Sequence, residues 1–86
     1  MEIAEVNKDE LHVKDSNGWQ PLHEAVRGGY IDVAKFLVSN GGNVNERTDH
    51  GTGGTPLWWA IETHGVRHEM VRFLKTLGAI KIGPEL

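Results

Sequence analysis

Five histidines and one glycine-rich run are the residues of this 86-residue chain that invite a chemical role first. His64 and His68 are four apart, and on a continuous helix that spacing would set both imidazoles on one face, as zinc sites require. Gly65 lies between them, and no carboxylate or cysteine completes a ligand set, so both read as loop histidines and no metal is expected. Gly51-Thr-Gly-Gly54 leads into a helix and could in principle hold a phosphate at the helix N-terminus. It lacks the lysine and the preceding buried strand of phosphate loops, so it reads as an enlarged turn needing positive φ. No Ser/His/Asp arrangement of recognisable context is present. The residues predict neither catalytic groups nor a cofactor, and the chain reads as a non-enzyme.

The composition narrows the partners. Eighty-six residues make one small domain, and a net charge of −3 gives no electrostatic reason to bind nucleic acid or an anionic membrane. Arg27, Lys35, Arg47, Arg67, Arg72, Lys75 and Lys81 are scattered rather than clustered. There are no cysteines, which excludes disulfides and leans toward an intracellular setting, cytoplasmic or nuclear. The charged N-terminus does not resemble a signal peptide, and no apolar run reaches membrane-spanning length.

The elements that must position these residues come from an internal repeat. Asp15-Ser-Asn-Gly18-Trp-Gln-Pro21-Leu22-His23-Glu-Ala25 recurs as Asp49-His-Gly-Thr-Gly-Gly-Thr55-Pro56-Leu57-Trp58-Trp-Ala60. Each copy is followed by an amphipathic segment, around Phe36 and Phe73, and by a glycine stop. Proline tolerates the first turn of a helix, so Pro21 and Pro56 each open one. The spacing predicts helices from Pro21 to about Gly28, Ile31 to Ser39, Pro56 to Thr63 and His68 to Thr76. Leu22, Ala25 and Val26 form one apolar face, and Val33, Phe36 and Leu37 another. Pro21 and Pro56 are 35 apart but Phe36 and Phe73 are 37 apart, so the second unit carries about two extra residues between its helices. Asn43 to Gly54 reads as a hairpin-like loop.

These motifs resemble the ankyrin repeat. Gln20-Pro21-Leu22-His23 and Thr55-Pro56-Leu57-Trp58 match its helix-opening Thr-Pro-Leu-His, and Gly41-Gly42-Asn43-Val44-Asn45 matches its closing motif. The resemblance implies an all-α solenoid of stacked antiparallel helix pairs with projecting hairpin-like loops. It divides the chain into a partial N-terminal repeat or cap (1–14), two repeats (15–48 and 49–79) and a C-terminal tail (80–86). Ile3-Ala4-Glu5-Val6 falls where a preceding second helix would end, and Ile80 and Ile82 could cover the last helix pair. The motif threonine is replaced by Gln20 in the first unit and the motif histidine by Trp58 in the second, which puts those loop-tying hydrogen bonds in question. The second unit is also similar to ankyrin segments joined to 2-oxoglutarate/iron oxygenase domains.

What the family implies about function is a non-catalytic module that binds a partner protein or peptide through its loop tips and concave helix face. The alternative is an accessory or targeting domain of a larger enzyme, with catalysis outside this chain. Trp19, in the variable turn, and Trp59, on the short concave-side helix, are the candidate anchors, because aromatics bury large area at small entropic cost. Asn17, Arg27, His50, Thr52, Glu62 and Thr63 fall on the same expected face as rim residues. Trp58 and His23 read as structural. The chain is expected to be a monomer, with weak self-association as a variant of that expectation. Asn45 occupies the closing asparagine that asparaginyl hydroxylases modify in ankyrin proteins, and is a candidate hydroxylation site. Its competing role is to bond backbone groups of the inter-repeat turn.

Overall fold

A computed structural model describes residues 11–85; the expected cap residues Ile3–Val6 lie outside them. The elements are α1 (Pro21–Gly28), α2 (Ile31–Ser39), the four-residue turn α3 (Thr48–Gly51), α4 (Pro56–His64) and α5 (Glu69–Thr76). Helix α1 packs on both α2 and α4, and α4 packs on α5, so two antiparallel pairs stack side by side. The fold is the all-α solenoid the repeats imply.

Local chemistry accounts for each boundary. Pro21 and Pro56 occupy the first turns of α1 and α4. Gly29 ends α1 in the left-handed region at φ 77°, where a side chain would be strained and would also meet the His64 ring. His68 starts α5, its Nδ1 accepting the Met70 N–H at 3.0 Å. The two extra residues of the second unit lie in the Gly65–His68 connection, which replaces the tighter Gly29–Tyr30 turn of the first.

The core is continuous through both pairs. Leu22, Val26, Met70, Val71 and Leu74 are fully buried, with Ala25, Ala34, Leu37, Leu57 and Ala60 beside them. Burying a side chain of that size contributes about 1.5–3 kcal/mol. The expected stripe on α2 is corrected here: Leu37 is buried, but Val33 and Phe36 are about half exposed, and Ala34 takes the core position instead. Ile80 and Ile82 are likewise exposed rather than packed over the last helix pair; their backbone, not their side chains, attaches the tail.

The loop-tying bonds in question are present in altered form. The Gln20 N–H donates to His23 Nδ1 at 2.9 Å, and His23 Nε2–H donates to the Glu46 carbonyl at 2.7 Å. The Gln20 amide nitrogen donates to the Asn43 carbonyl at 2.9 Å, reaching the loop that the missing threonine would have reached. In the second unit Thr55 Oγ1 donates to the Ile80 carbonyl at 2.6 Å and accepts the Ile82 N–H at 3.1 Å. Each unit thus keeps one motif residue and holds the following loop with it.

Candidate functional site

The short helices α1 and α4, with the turns before them, form one continuous face. Trp19 ends the first turn, held by the Asp15 carboxylate, which accepts the Asn17 and Trp19 N–H groups. Its ring lies 4.6 Å from Trp59 on α4 of the next unit, tilted by 52°. Trp58 meets Trp59 edge-on at 4.9 Å. On the other side the Arg27 guanidinium sits 4.9 Å from the Trp19 ring centre, while it also pairs with Glu24 at 2.7 Å. The result is a ladder from Arg27 through Trp19 and Trp59 to Trp58 that crosses both units. Aromatic pairs of this kind contribute about 0.5–1.5 kcal/mol beyond their area.

All three tryptophans are half-buried. Trp59 donates its indole N–H to Thr48 Oγ1 at 3.3 Å, and Trp58 packs where a Cβ on Gly54 would collide with it. Trp19 and Trp59 therefore support each other across the unit boundary and expose only part of their rings to the face. Arg27, Glu62 and Thr63 are exposed on the same two helices.

The turn tips are interlocked. Asp49 N–H donates to the Asn17 carbonyl at 3.0 Å, and His50 Nε2–H donates to the Ser16 carbonyl at 3.2 Å. Gly18 lies beneath this contact at φ 78°, and any Cβ there would strike the His50 backbone nitrogen. Positive φ falls on Asp49, His50 and Gly51, not on Gly53 or Gly54. Those two glycines instead leave room for Thr48 and for Trp58, a correction to the expectation that the whole run serves φ. Of the rim candidates, Asn17 and His50 are brought together, while Thr52 bonds within its own turn through Oγ1 to the Asp49 carbonyl at 3.0 Å.

A second assembly lies at the end of the stack and was not legible from the motifs. The Arg47 guanidinium donates to the carbonyls of Gly53, Thr52 and Gly83, and pairs with the Glu85 carboxylate at 3.1 Å. Asn45 Oδ1 accepts the Ile80 N–H at 2.8 Å, 35 residues away. Together they fasten residues 80–85 along the second turn. The position of Arg47 just after the closing motif was the available signal.

His23 is buried, and desolvation lowers its pKa below the ordinary 6.5, partly offset by the hydrogen bond to the Glu46 carbonyl. Because Nδ1 already accepts the Gln20 N–H, a proton there would have to break that bond. His64 and His68 stack at 4.3 Å, with His64 Nε2–H donating to the Val26 carbonyl. Among the described residues no group of three or more His, Cys, Asp or Glu could hold a metal ion. No helix of the described residues is long and apolar enough to cross a membrane.

A family model for ankyrin repeats, in three copies, matches residues 2–83. The chain belongs to the ankyrin-repeat family. It is 40% identical over 42 residues to protein phosphatase 1 regulatory subunit 27 of Mus musculus, covering 49% of this chain and 27% of that protein. It is 35% identical over 65 residues to the NF-kappa-B inhibitor cactus of Drosophila melanogaster, covering 76% and 12%. It is also 34% identical over 51 residues to the 2-5A-dependent ribonuclease of Mus musculus, covering 59% of this chain and 7% of that protein. The chain thus spans about a quarter or less of the length of these relatives. Ankyrin repeats are protein–protein interaction modules, and His23, Thr55 and Asn45 here hold the inter-repeat loops that give such a module its rigid face.

Proposed function

We propose that this chain is a non-catalytic interaction module that binds a protein or peptide across the α1–α4 face and the joined turn tips. The observation that carries this reading is the Arg27–Trp19–Trp59–Trp58 ladder, which spans both repeats with its rings partly exposed. Rigid aromatics lose little entropy on binding, and a pre-locked surface avoids ordering costs. Arg27, Glu62 and Thr63 supply charge and hydrogen-bonding groups at the rim, with Asn17, His50 and Thr52 at the tips. Two relatives are named for other proteins, a phosphatase and NF-kappa-B, which supports a macromolecular partner.

The test is affinity capture from cell lysate by the wild-type chain beside an Arg27→Glu/Glu62→Lys variant. Both positions are exposed, so circular dichroism should show equal helicity. A partner held by wild type and lost by the variant supports the face. A partner retained equally by both places binding elsewhere.

The second reading is that of an accessory domain within a larger enzyme. It is favoured by one observation: a stretch similar to this chain makes up 7% of a protein named as a ribonuclease. The sequence of the full reading frame decides it, since a catalytic domain in the same frame supports the accessory role and a stop codon at either boundary with no such domain removes it.

For Asn45, the bond to the Ile80 N–H favours a turn-locking role over hydroxylation. Mass spectrometry of the Asn45 peptide from native cells should therefore find it unmodified, and an added oxygen on that side chain would reverse the assignment.

A further inference from the structure

Charge on the described residues is divided between the two layers of the stack. The turns and short helices α1 and α4 carry Asp15, Glu24, Glu46, Asp49 and Glu62, with Glu85 fastened beside them, against Lys14, Arg27 and Arg47. Each of those three cations is committed within the chain: Lys14 pairs with Glu46 at 3.0 Å, Arg27 with Glu24 at 2.7 Å and Arg47 with Glu85 at 3.1 Å. None of the salt bridges among the described residues reaches Asp15, Asp49 or Glu62, and all three are exposed. The longer helices α2 and α5, with the link before α5, have the opposite balance: Lys35, Arg67, Arg72 and Lys75 against Asp32 and Glu69. Counting Lys81 of the tail with the turn side still leaves that side negative.

The first repeat holds a cation that the second lacks. In α1 the Arg27 guanidinium lies 4.9 Å from the Trp19 ring centre while it pairs with Glu24. Thirty-five residues on, α4 has Trp59 in the place of Glu24 and Glu62 in the place of Arg27. Residues three apart on a helix are neighbours, so a ring and a carboxylate again stand together. Among the described residues no cation pairs with either of them. The tip carboxylates belong to the same rigid surface. Asp15 accepts the Asn17 N–H, the Asn17 carbonyl accepts the Asp49 N–H, and the Trp59 indole is tied to the neighbouring Thr48. Carboxylates gathered on one face raise the local concentration of cationic groups.

We infer that this face takes a positively charged protein segment, with an arginine side chain meeting Trp59 and Glu62 and further basic side chains meeting Asp15 and Asp49. The inference rests on the reading that the α1–α4 face and turn tips bind a protein, and it adds the chemistry of that partner. A guanidinium suits the position because it lies on an indole face and pairs with a carboxylate at once, as Arg27 does between Trp19 and Glu24. An acidic partner, nucleic acid included, would meet three uncompensated carboxylates.

The test follows fluorescence polarisation of two labelled peptides of equal length, repeats of Arg-Gly-Ser and of Glu-Gly-Ser, against the full chain. Wild type should bind the arginine peptide and not the glutamate peptide, and added salt should weaken the binding. Asp49→Asn/Glu62→Gln should lower the affinity about fivefold or more. Asp32→Asn/Glu69→Gln removes the same charge from the α2–α5 layer and should bind as wild type does, which separates the site from net charge. All four positions are exposed, so circular dichroism should show wild-type helicity in both variants. Glu62→Gln alone, on the surface of α4, serves with a smaller loss should the first pair fail to fold. An arginine peptide that does not bind, or that both double variants bind equally, overturns the inference. A partner trapped in lysate by a photoreactive residue at Glu62 through an acidic or neutral segment overturns it too, while leaving the protein-binding face in place. An unbound arginine peptide together with trapping only from Lys75 removes both readings.

Discussion

The indole rings of Trp19 and Trp59 lie 4.6 Å apart, one from the turn that opens the first repeat and one from the inner helix of the second. The residues offered to a partner are thus also part of what holds the repeats together. Substituting either to alanine should lower stability, and the double variant should lose less than the two losses added. The coupling should be about 1 kcal/mol, read from urea unfolding of the four proteins. Strict additivity would mean that the rings do not support each other.

Gly18 is strained territory for any side chain. Its φ is 78°, and a Cβ would strike the His50 backbone of the neighbouring tip. Gly18→Ala should destabilise by more than about 1 kcal/mol. It should also perturb the His50 and Asp49 amide signals in solution spectra, since those groups sit on the contact. Gly51→Ala is the comparison: nothing lies within 4 Å of its Cβ, so only the cost of its positive φ should remain.

His23 gives the stability a pH dependence of defined sign. Burial lowers its folded pKa below 6.5, so above that pH the imidazole is neutral in both folded and unfolded chains. Its contribution is complete there. As the pH falls below 6.5 the unfolded chain takes up the proton first, and the contribution is lost on the way down to the folded value. Wild type should therefore lose more stability than His23→Gln between about pH 7.5 and 5.5, by at most about 1.4 kcal/mol per pH unit. The other histidines are common to both proteins, so equal losses would mean that His23 is not the sensor.

The helix pairs were legible because proline, glycine and apolar spacing act locally. Pro21, Gly29 and Pro56 fix their boundaries without reference to anything distant. The α2 stripe was misread at Val33 and Phe36 because periodicity reports which residues share a face, not whether a neighbour covers it. The turn α3 was read as glycine-driven, yet Asp49 and His50 share the positive φ with Gly51. Their strain is sustained by bonds to Asn17 and Ser16, more than thirty residues away, which no local pattern encodes. Trp19 and Trp59 were picked out as anchors from their places in the ankyrin motif, with Trp58 read as structural. Their mutual stacking needed the register between repeats, which the two-residue insertion alone does not determine.

Arg47 anchors the tail from a partly buried position through three carbonyls and one carboxylate. Arg47→Ala should free residues 80–85 while leaving both helix pairs intact. Amide exchange at Ile82 and Glu85, whose N–H groups donate to Thr55 Oγ1 and the Thr52 carbonyl, should quicken about tenfold or more. Unchanged exchange there would show that Thr55 and Asn45 hold the tail without it.

The most direct test of the interaction face is site-specific photo-crosslinking in lysate. A photoreactive residue is placed at Glu62, exposed on α4, and, as the control, at Lys75, exposed on α5. Neither side chain is part of the core, so both labelled proteins should fold as wild type does. The account predicts one protein partner trapped from position 62 and absent from position 75. Trapping from position 75 alone, or equally from both, would contradict it.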